Sequence, residues 1–271
     1  MKGVLAAMAA SIVSLTAQAD SILLTKFDFE SNGSTNVYDQ MAATLTGAGH
    51  TVTIVDARVA GNVAVALGGA SYDQVFLWDL TSNAYLSAGD VSALSSFWNS
   101  NRGLVVDTRS YGYHFQGADA SEVALLQNVA SQLALSGGGV WVGTDHHPGW
   151  AYNGNLFLSA INVNPVTGVF SDPVNFADPS SVLLAGVTPT DLWAANESVG
   201  QAPIGVQPNG TEMFIHFGHT RTDGSILPYI SASFPLEGVD PNPVPEPSSL
   251  ALLAIAAAGA LMARRRPRRS A

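Results

Sequence analysis

The chain has 271 residues, no cysteine and a formal net charge of −10 at pH 7. This length suits one α/β domain with a full hydrophobic core once the segments with targeting patterns are set aside. The absence of cysteine excludes disulfides, thiolate metal sites and any cysteine nucleophile. Between Asp20 and Pro243, five basic residues stand against twenty acidic ones, a net formal charge of −15, which disfavours a nucleic-acid partner.

Residues 1–19 have the pattern of a secretory signal peptide. Lys2 precedes an apolar run, Val4–Leu15, and the small-x-small triplet Ala17-Gln-Ala follows it. We therefore expect signal peptidase to cleave between Ala19 and Asp20, which makes residues 20–238 the exported domain. An N-terminal core helix is the alternative, but the apolar run has no polar face.

Three segments follow one another at the other end of the chain. Residues 239–249 form a stiff proline-rich spacer that contains Pro245, Glu246 and Pro247. Residues 250–263 are an unbroken apolar run, which would rise ~21 Å as a helix, less than the ~30 Å hydrocarbon thickness of a membrane. Residues 264–271 are basic and begin with Arg264, Arg265 and Arg266, which favour the cytoplasmic side.

This order of Pro-Glu-Pro, short apolar helix and basic terminus resembles the PEP-CTERM sorting signal of exopolysaccharide-producing Gram-negative bacteria. The resemblance covers about residues 244–271. It implies membrane contact through the apolar segment, then cleavage near Pro-Glu-Pro by an exosortase-type protease and delivery to the outer surface or extracellular matrix. The implied partners are signal peptidase, the exosortase, and extracellular polysaccharide or the cell envelope. A simple C-terminal membrane anchor is the alternative.

Short apolar segments alternate with helical patterns through the first half of the domain. The predicted strands are Ser21–Thr25, Thr51–Val55, Gln74–Trp78, Leu104–Val106 and Gly139–Val142. The predicted helices are Asn36–Gly47, Gly61–Leu67, a helix from Ser87 or Asp90 to Trp98, and Asp119–Leu135. This alternation predicts an α/β fold, a three-layer sandwich with a mostly parallel central sheet.

The second half is less regular, and we expect antiparallel or irregular additions to the sheet there. Asn162–Asp178 is rich in Pro, Asn, Val and Phe and predicts extended segments, with which Ser181–Val187 is expected to pair. A final strand is predicted at Gly210–Gly218.

Three segments carry a resemblance to the class I glutamine amidotransferase-like superfamily, and most to its trehalose-utilisation-type branch. They are Phe97–Val106, Gly137–His147 and Gly210–His219, and the resemblance spans Ser21 to Phe234. It implies a flavodoxin-like sandwich. The family's nucleophile is a cysteine on a strand-to-helix elbow, whereas this chain has Asp107-Thr-Arg-Ser-Tyr-Gly-Tyr-His114 after its fourth strand. Glutamine hydrolysis by a thiolate is therefore excluded, and the fold supplies no function by itself.

In such folds, ligands bind beyond the carboxyl ends of the strands, so the polar residues after each strand are the site candidates. The candidate catalytic residues are Ser110, His114, Asp145 and His146. The candidate ligand-binding residues are Asp79, Asp107, Arg109, Tyr111, His147 and Trp150.

A hydrolase is one interpretation of these candidates. Ser110 would be the nucleophile, His114 or His146 the base, and Asp145 the group that orients the imidazole, with a glycan or a small ester or amide as substrate. The loop sequence is not Gly-x-Ser-x-Gly, however. The alternative is a loop in which Asp107 and Ser110 bond the local backbone.

Histidine and carboxylate residues near the same loops are also ligands that divalent metals take. The set comprises Asp145, His146 and His147, with His114, Asp79, His216 and His219. Adjacent histidines on a non-helical loop point in different directions, so we predict no cofactor and keep a divalent metal as the alternative. His216 and His219 are predicted to be structural.

The tryptophans and tyrosines are the last candidate group. Trp78, Trp98 and Trp141 occupy core-like positions, whereas Tyr111, Tyr113, Trp150 and Tyr152 are plausible aromatics for stacking on carbohydrate. Two hypotheses follow for the exported domain: a binding or matrix-associated module without thiol chemistry, or the hydrolase described above.

Overall fold

The computed structural model describes residues 19–27, 37–80, 85–100, 103–109, 119–193 and 198–234. The chain divides into two compact units, Met1–Glu237 and Gly238–Ala271, and every described residue belongs to the first. The predicted signal peptide core and sorting segment lie outside the described residues, as do Ser110, Tyr111 and His114.

Strands and helices alternate through the first half of the domain. The strands are β1 (Ser21–Lys26), β2 (Thr51–Asp56), β3 (Gln74–Leu77), β4 (Gly103–Asp107) and β5 (Gly139–Gly143). The helices are α1 (Val37–Gly47), α2 (Asn62–Gly69), α3 (Ala88–Asn99) and α4 (Ala120–Ser136).

Shorter elements make up the second half. They are α5 (Tyr152–Ala160), β6 (Thr167–Phe170), β7 (Phe176–Ala177), a 3₁₀ turn (Val182–Leu184), α6 (Pro189–Leu192), β8 (Val199–Gln201), β9 (Gly205–Val206), β10 (Glu212–Thr220) and β11 (Ile226–Ala232).

The main sheet has the strand order β2-β1-β3-β4-β5-β11-β10-β7. Its first five strands are parallel, whereas β11, β10 and β7 each pair antiparallel with their neighbours. The order of the parallel part is that of flavodoxin-like folds, in which the winding reverses between β1 and β3. The predicted fold class is therefore confirmed, including the antiparallel additions in the second half. A separate ribbon of β6 and β8 accompanies the main sheet.

Helices cover the sheet on both faces and create two apolar layers. One layer joins α1 and α4 to the face that carries Trp78 and Trp141, and the other joins α2, α3 and α5 to the opposite face. The four central residues of β1 are buried for this reason, whereas β2 lies at the sheet edge and is half exposed. Each fully buried aliphatic side chain contributes about 1.5–3 kcal/mol relative to an exposed one.

The ends of the helices follow local sequence signals. Ser87 caps α3 and exchanges hydrogen bonds with Asp90 in a capping box, so Ser87 is the N-cap and Asp90 lies in the first turn. Asp119 caps α4 by accepting a bond from the Glu122 amide. Gly137 ends α4 with φ 70°, a left-handed conformation that glycine adopts without strain.

The second half differs from the sequence prediction in several elements: α6, β8 and β9 were not predicted, and three further differences have identifiable causes. Ser181–Val187 contains a 3₁₀ turn, so the strand expected there was wrong. Helix α5 has no side-chain N-cap and was missed. Strand β11 was missed because Pro228 argues against a central strand; in the fold, Pro228 lies outside the three residues, Ile230 to Ala232, that pair with β5.

Candidate functional site

The residues after β5 form a partly exposed turn at the carboxyl edge of the sheet. Thr144 anchors this turn, because its hydroxyl bonds the carbonyls of Gly200 and Tyr229, each at 3.0 Å. The amide of Asp145 donates to the hydroxyl of Thr108 at 2.6 Å, which ties the turn to the residue that follows β4. The sheet edge therefore fixes where the next two side chains point.

Asp145 and His146 form a hydrogen-bonded pair. Nδ1 of His146 donates to Oδ1 of Asp145 at 2.9 Å, and the His146 amide donates to the same oxygen at 2.6 Å. Burial raises the pKa of Asp145 to about 6, although the bonds from His146 act in the opposite direction. The side chains are 15% and 30% exposed, respectively, so the pair is open to solvent on one side. Nε2 of His146 makes no hydrogen bond with any described residue.

Trp150 flanks this pair. Its ring centroid lies 5.8 Å from that of His146, with the two planes inclined by 50°. The Trp150 amide also donates to the His146 carbonyl at 3.1 Å, which closes the turn. We call Asp145, His146 and Trp150 the β5 rim. It combines a carboxylate, an imidazole and an indole on one partly exposed surface.

A buried ionic cluster lies at the end of β4. Arg109 bonds the carboxylate of Asp107 through Nε and an Nη2 contact of 3.0 Å, and it reaches Glu122 of α4 through Nη1 at 3.0 Å. All three side chains are at most 4% exposed. The guanidinium also lies 5.7 Å from the ring of Trp141 on β5. Arg109 thus joins β4, α4 and β5 in the interior.

Among the described residues of this cluster, two carboxylates face one guanidinium. Burial raises the pKa of Glu122 to about 7, and the charge of Arg109 opposes that rise. The packing around Asp107 also requires a glycine at position 143. A Cβ on Gly143 would lie 2.6 Å from Oδ1 of Asp107 and 2.6 Å from the Trp141 ring. Asp107 and Arg109, both predicted to bind ligand, therefore have well-defined intramolecular roles in this structure.

Asp79 lies on the other side of β4, at the point where the sheet winding reverses. It has a left-handed backbone, φ 59°, and is 2% exposed. Its Oδ2 accepts a bond from the hydroxyl of Tyr38 at 2.9 Å, and Lys26 lies 5.5 Å from the Tyr38 ring. Asp79 is thus buried at the switch point rather than on the β5 rim.

The structure brings some predicted site residues together and separates others. Asp145, His146 and Trp150 are adjacent, and Asp107 and Arg109 connect to them through Thr108. His147 is half-buried, and its backbone amide donates to the Gly168 carbonyl at 3.0 Å. The contributions of Ser110, His114 and Tyr111 remain predictions. Sequence reasoning missed Glu122; no sequence signal joins Glu122 to Arg109, because their contact depends on how α4 packs.

Among the described residues, no three His, Asp or Glu side chains are grouped in a way that could hold a metal ion. His216 is buried and lies 2.5 Å from the Ser181 hydroxyl through Nδ1, and burial lowers its pKa to about 4. His219 bonds the Pro173 carbonyl at 2.7 Å. Both histidines thus have intramolecular partners.

Comparison with known proteins identifies the C-terminal signal. Residues 243–266 match the family model of the PEP-CTERM protein-sorting motif. The chain is thus an exported protein that is processed by an exosortase and sorted to the cell surface. Comparisons with curated proteins and with solved structures gave no match. Among the helices of the described residues, none is long and apolar enough to cross a membrane; the apolar run 250–263 lies outside them.

The buried ionic cluster generates a stability prediction. Arg109→Met removes the cation that bonds both Asp107 and Glu122, so we expect a loss of about 3–5 kcal/mol in the free energy of unfolding at pH 7. A carboxyl whose folded-state pKa is raised holds its proton more tightly in the folded state, so acidification through that pKa favours folding. The loss of unfolding free energy that Arg109→Met causes should therefore be smaller at about pH 5 than at pH 7. Urea unfolding followed by tryptophan fluorescence measures it.

Arg58→Met is the matched control. Arg58 pairs with Asp56 at the same two-residue spacing, but that pair is partly exposed, so the expected loss is below about 1 kcal/mol. Equal losses in the two variants, or a loss at Arg109 that does not change with pH, would contradict the role assigned to the cluster.

Proposed function

We propose that the described domain is a binding module of the cell surface or extracellular matrix, and that its ligand contacts the β5 rim. The observation that carries the proposal is the arrangement of Asp145, His146 and Trp150, which places two hydrogen-bonding groups beside an indole on a partly exposed surface. The described polar groups beneath the rim bond one another. Within the described part of this edge, the rim is therefore the surface that is open to a ligand.

A neutral glycan is the ligand class that this chemistry fits best. Sugar rings present apolar C–H faces that pack on aromatic rings, and their hydroxyls bond carboxylates and imidazoles. Tyr152, which is 49% exposed at the start of α5, adds a second aromatic side chain two residues after Trp150. The domain's net charge of about −15 repels polyanions, so a neutral polysaccharide is favoured over an acidic one.

We also infer that the domain is an amidotransferase-like sandwich that works without thiol chemistry. The strand order β2-β1-β3-β4-β5 is that of the flavodoxin-like sandwich, a fold that this family shares with many others. The chain contains no cysteine. The family's reaction is therefore not part of the proposal, and the function rests on the rim itself.

The binding proposal predicts the effect of rim substitutions. His146→Ala and Trp150→Ala should each weaken binding to the neutral fraction of the producing bacterium's extracellular polysaccharide by at least about tenfold, or ~1.4 kcal/mol. The chain from Asp20 to Ala271, kept in solution by a mild detergent, can be tested by affinity electrophoresis in that polysaccharide.

Leu135→Ala is the control for this experiment. Leu135 is 55% exposed near the end of α4, at the opposite edge of the sheet, so its loss should leave binding unchanged. Binding that survives both rim substitutions, or that falls equally in the control, would refute the rim as the site.

A hydrolase is the second candidate, and the bond between Asp145 and His146 favours it. A carboxylate that fixes Nδ1 of an imidazole leaves Nε2 directed away as a base, which is the orienting arrangement of nucleophile-base sites. In this alternative Ser110 supplies the nucleophile, with His114 near it. A hydrolase screen on glycan, ester and amide substrates should then show turnover that His146→Ala and Ser110→Ala both abolish; the binding module predicts no such activity.

The sorting motif predicts the mass of the mature protein. Cleavage near Pro245–Pro247 removes residues 250–271, so the intact mass of the protein recovered from the cell surface should lack both the apolar run and the arginine tail. Replacing Pro245, Glu246 and Pro247 with alanine leaves those segments in place and should block the cleavage. A surface protein that retains its C-terminal segment would instead be a simple membrane-anchored protein.

A further inference from the structure

Four polar residues meet at the amino edge of the sheet, opposite the β5 rim. Asp20 precedes β1, His50 precedes β2, and Asp73 and Gln74 lie at the start of β3. The backbone amide of Asp20 donates to Nδ1 of His50 at 3.3 Å, and the amide of Ser21 donates to Oδ2 of Asp73 at 2.9 Å. Nε2 of Gln74 donates to Oδ2 of Asp20 at 2.5 Å. The amide nitrogen of Asp20 thus bonds one side chain of this cluster, that of His50, and the neighbouring Ser21 amide bonds another, that of Asp73.

This cluster has more acceptors than donors. Asp20, His50 and Gln74 are each at most 6% exposed. Gln74 uses both donor hydrogens, on Asp20 and on the Ala130 carbonyl, while its Oε1 is buried and bonds no described residue. Burial raises the pKa of Asp20, the charge of Asp73 adds to that rise, and the Gln74 bond and His50 oppose it. Burial lowers the pKa of His50, which favours the neutral acceptor form. The group that would suit this cluster is a cation with several donors.

We propose that the cluster of Asp20, His50, Asp73 and Gln74 is the docking site for the α-ammonium group that forms on Asp20 when the signal peptide is removed. The proposal rests on the expected cleavage between Ala19 and Asp20 and is independent of the ligand proposed for the β5 rim. Hydrolysis of that amide bond consumes one water, leaves a carboxylate on Ala19 and leaves the nitrogen on Asp20, where it takes up a proton as an ammonium. One N–H donor becomes three, and the new positive charge joins a cluster that contains the carboxylates of Asp20 and Asp73.

Processing and folding are coupled by this site. Asp20 is buried and β1 begins at Ser21, so a peptidase has better access to the peptide bond before Asp20 while the amino edge is still open. Once the edge has closed, the ammonium adds bonds that the uncleaved precursor cannot make, because charge-assisted hydrogen bonds are stronger than neutral ones. The exported domain therefore reaches its full stability only after cleavage.

Amine acylation tests the docking directly. The chain from Asp20 to Ala271 has two primary amines, the α-amine and Lys26. An activated ester at limiting concentration, followed by peptide mapping, reports the rate at each amine in the folded chain and in urea. We expect the folded α-amine to react at least about tenfold more slowly than the unfolded one. An α-amine that reacts at the same rate in both states would overturn the proposal.

A chain that retains residues 17–19 is the matched control. Its α-amine lies three residues before Asp20, so acylation at that amine should be as fast in the folded chain as in urea. Its Tm should be lower by about 3 °C or more, because Asp20 keeps an amide nitrogen. His50→Leu should reduce this difference in Tm between the two chain lengths. Equal Tm values for the two chains with His50 intact would contradict the coupling, and the acylation test does not depend on whether the His50 variant folds.

Discussion

The carboxyl edge of this domain depends on the interactions of the Arg109 guanidinium. It contacts Asp107 at the end of β4, Glu122 in the first turn of α4 and the ring of Trp141 on β5. Thr108, between Asp107 and Arg109, then accepts the amide of Asp145 and so sets the start of the β5 rim. A buried ion cluster adds little net stability relative to an apolar one, because desolvation offsets the attraction. Its role here is to fix the positions of β4, α4, β5 and the β5 rim relative to one another.

This arrangement separates groups that hold the fold from groups that can meet a ligand. Asp79, Asp107 and Arg109 have candidate chemistry in the sequence, yet all are at most 3% exposed. Asp145 and His146 are bonded to each other but open on one side, and Trp150 borders them. On a domain sorted to the cell surface, such a rim is open to the ligand proposed above. The cleaved amino terminus would lie at the opposite edge, so its docking would not compete with ligand binding.

Much of the fold could be predicted from the sequence because the parallel strands are buried on both faces. Ile22–Leu24 and Val75–Leu77 are continuous apolar runs, and such runs separated by capped helices specify a covered parallel sheet. The elements of the second half were harder to predict, because β11 contains Pro228, which is unusual in a central strand, and α5 has no side-chain N-cap. The pairing of Arg109 with Glu122 could not be predicted, because it requires the packing of α4 on the sheet. Arg58 illustrates this limit: it has the same spacing from Asp56 as Arg109 has from Asp107, yet it lies at the surface.

The central claim, that the β5 rim is the ligand site, is tested most directly by nuclear magnetic resonance. The ring signals of the six histidines and the indole signals of the five tryptophans can be followed while the neutral extracellular polysaccharide is added to the chain from Asp20 to Ala271. The account predicts that the signals of His146 and Trp150 shift or broaden, while those of buried His50 and His216 stay unchanged. Unchanged His146 and Trp150 signals in the presence of a polysaccharide that binds elsewhere on the domain would contradict it.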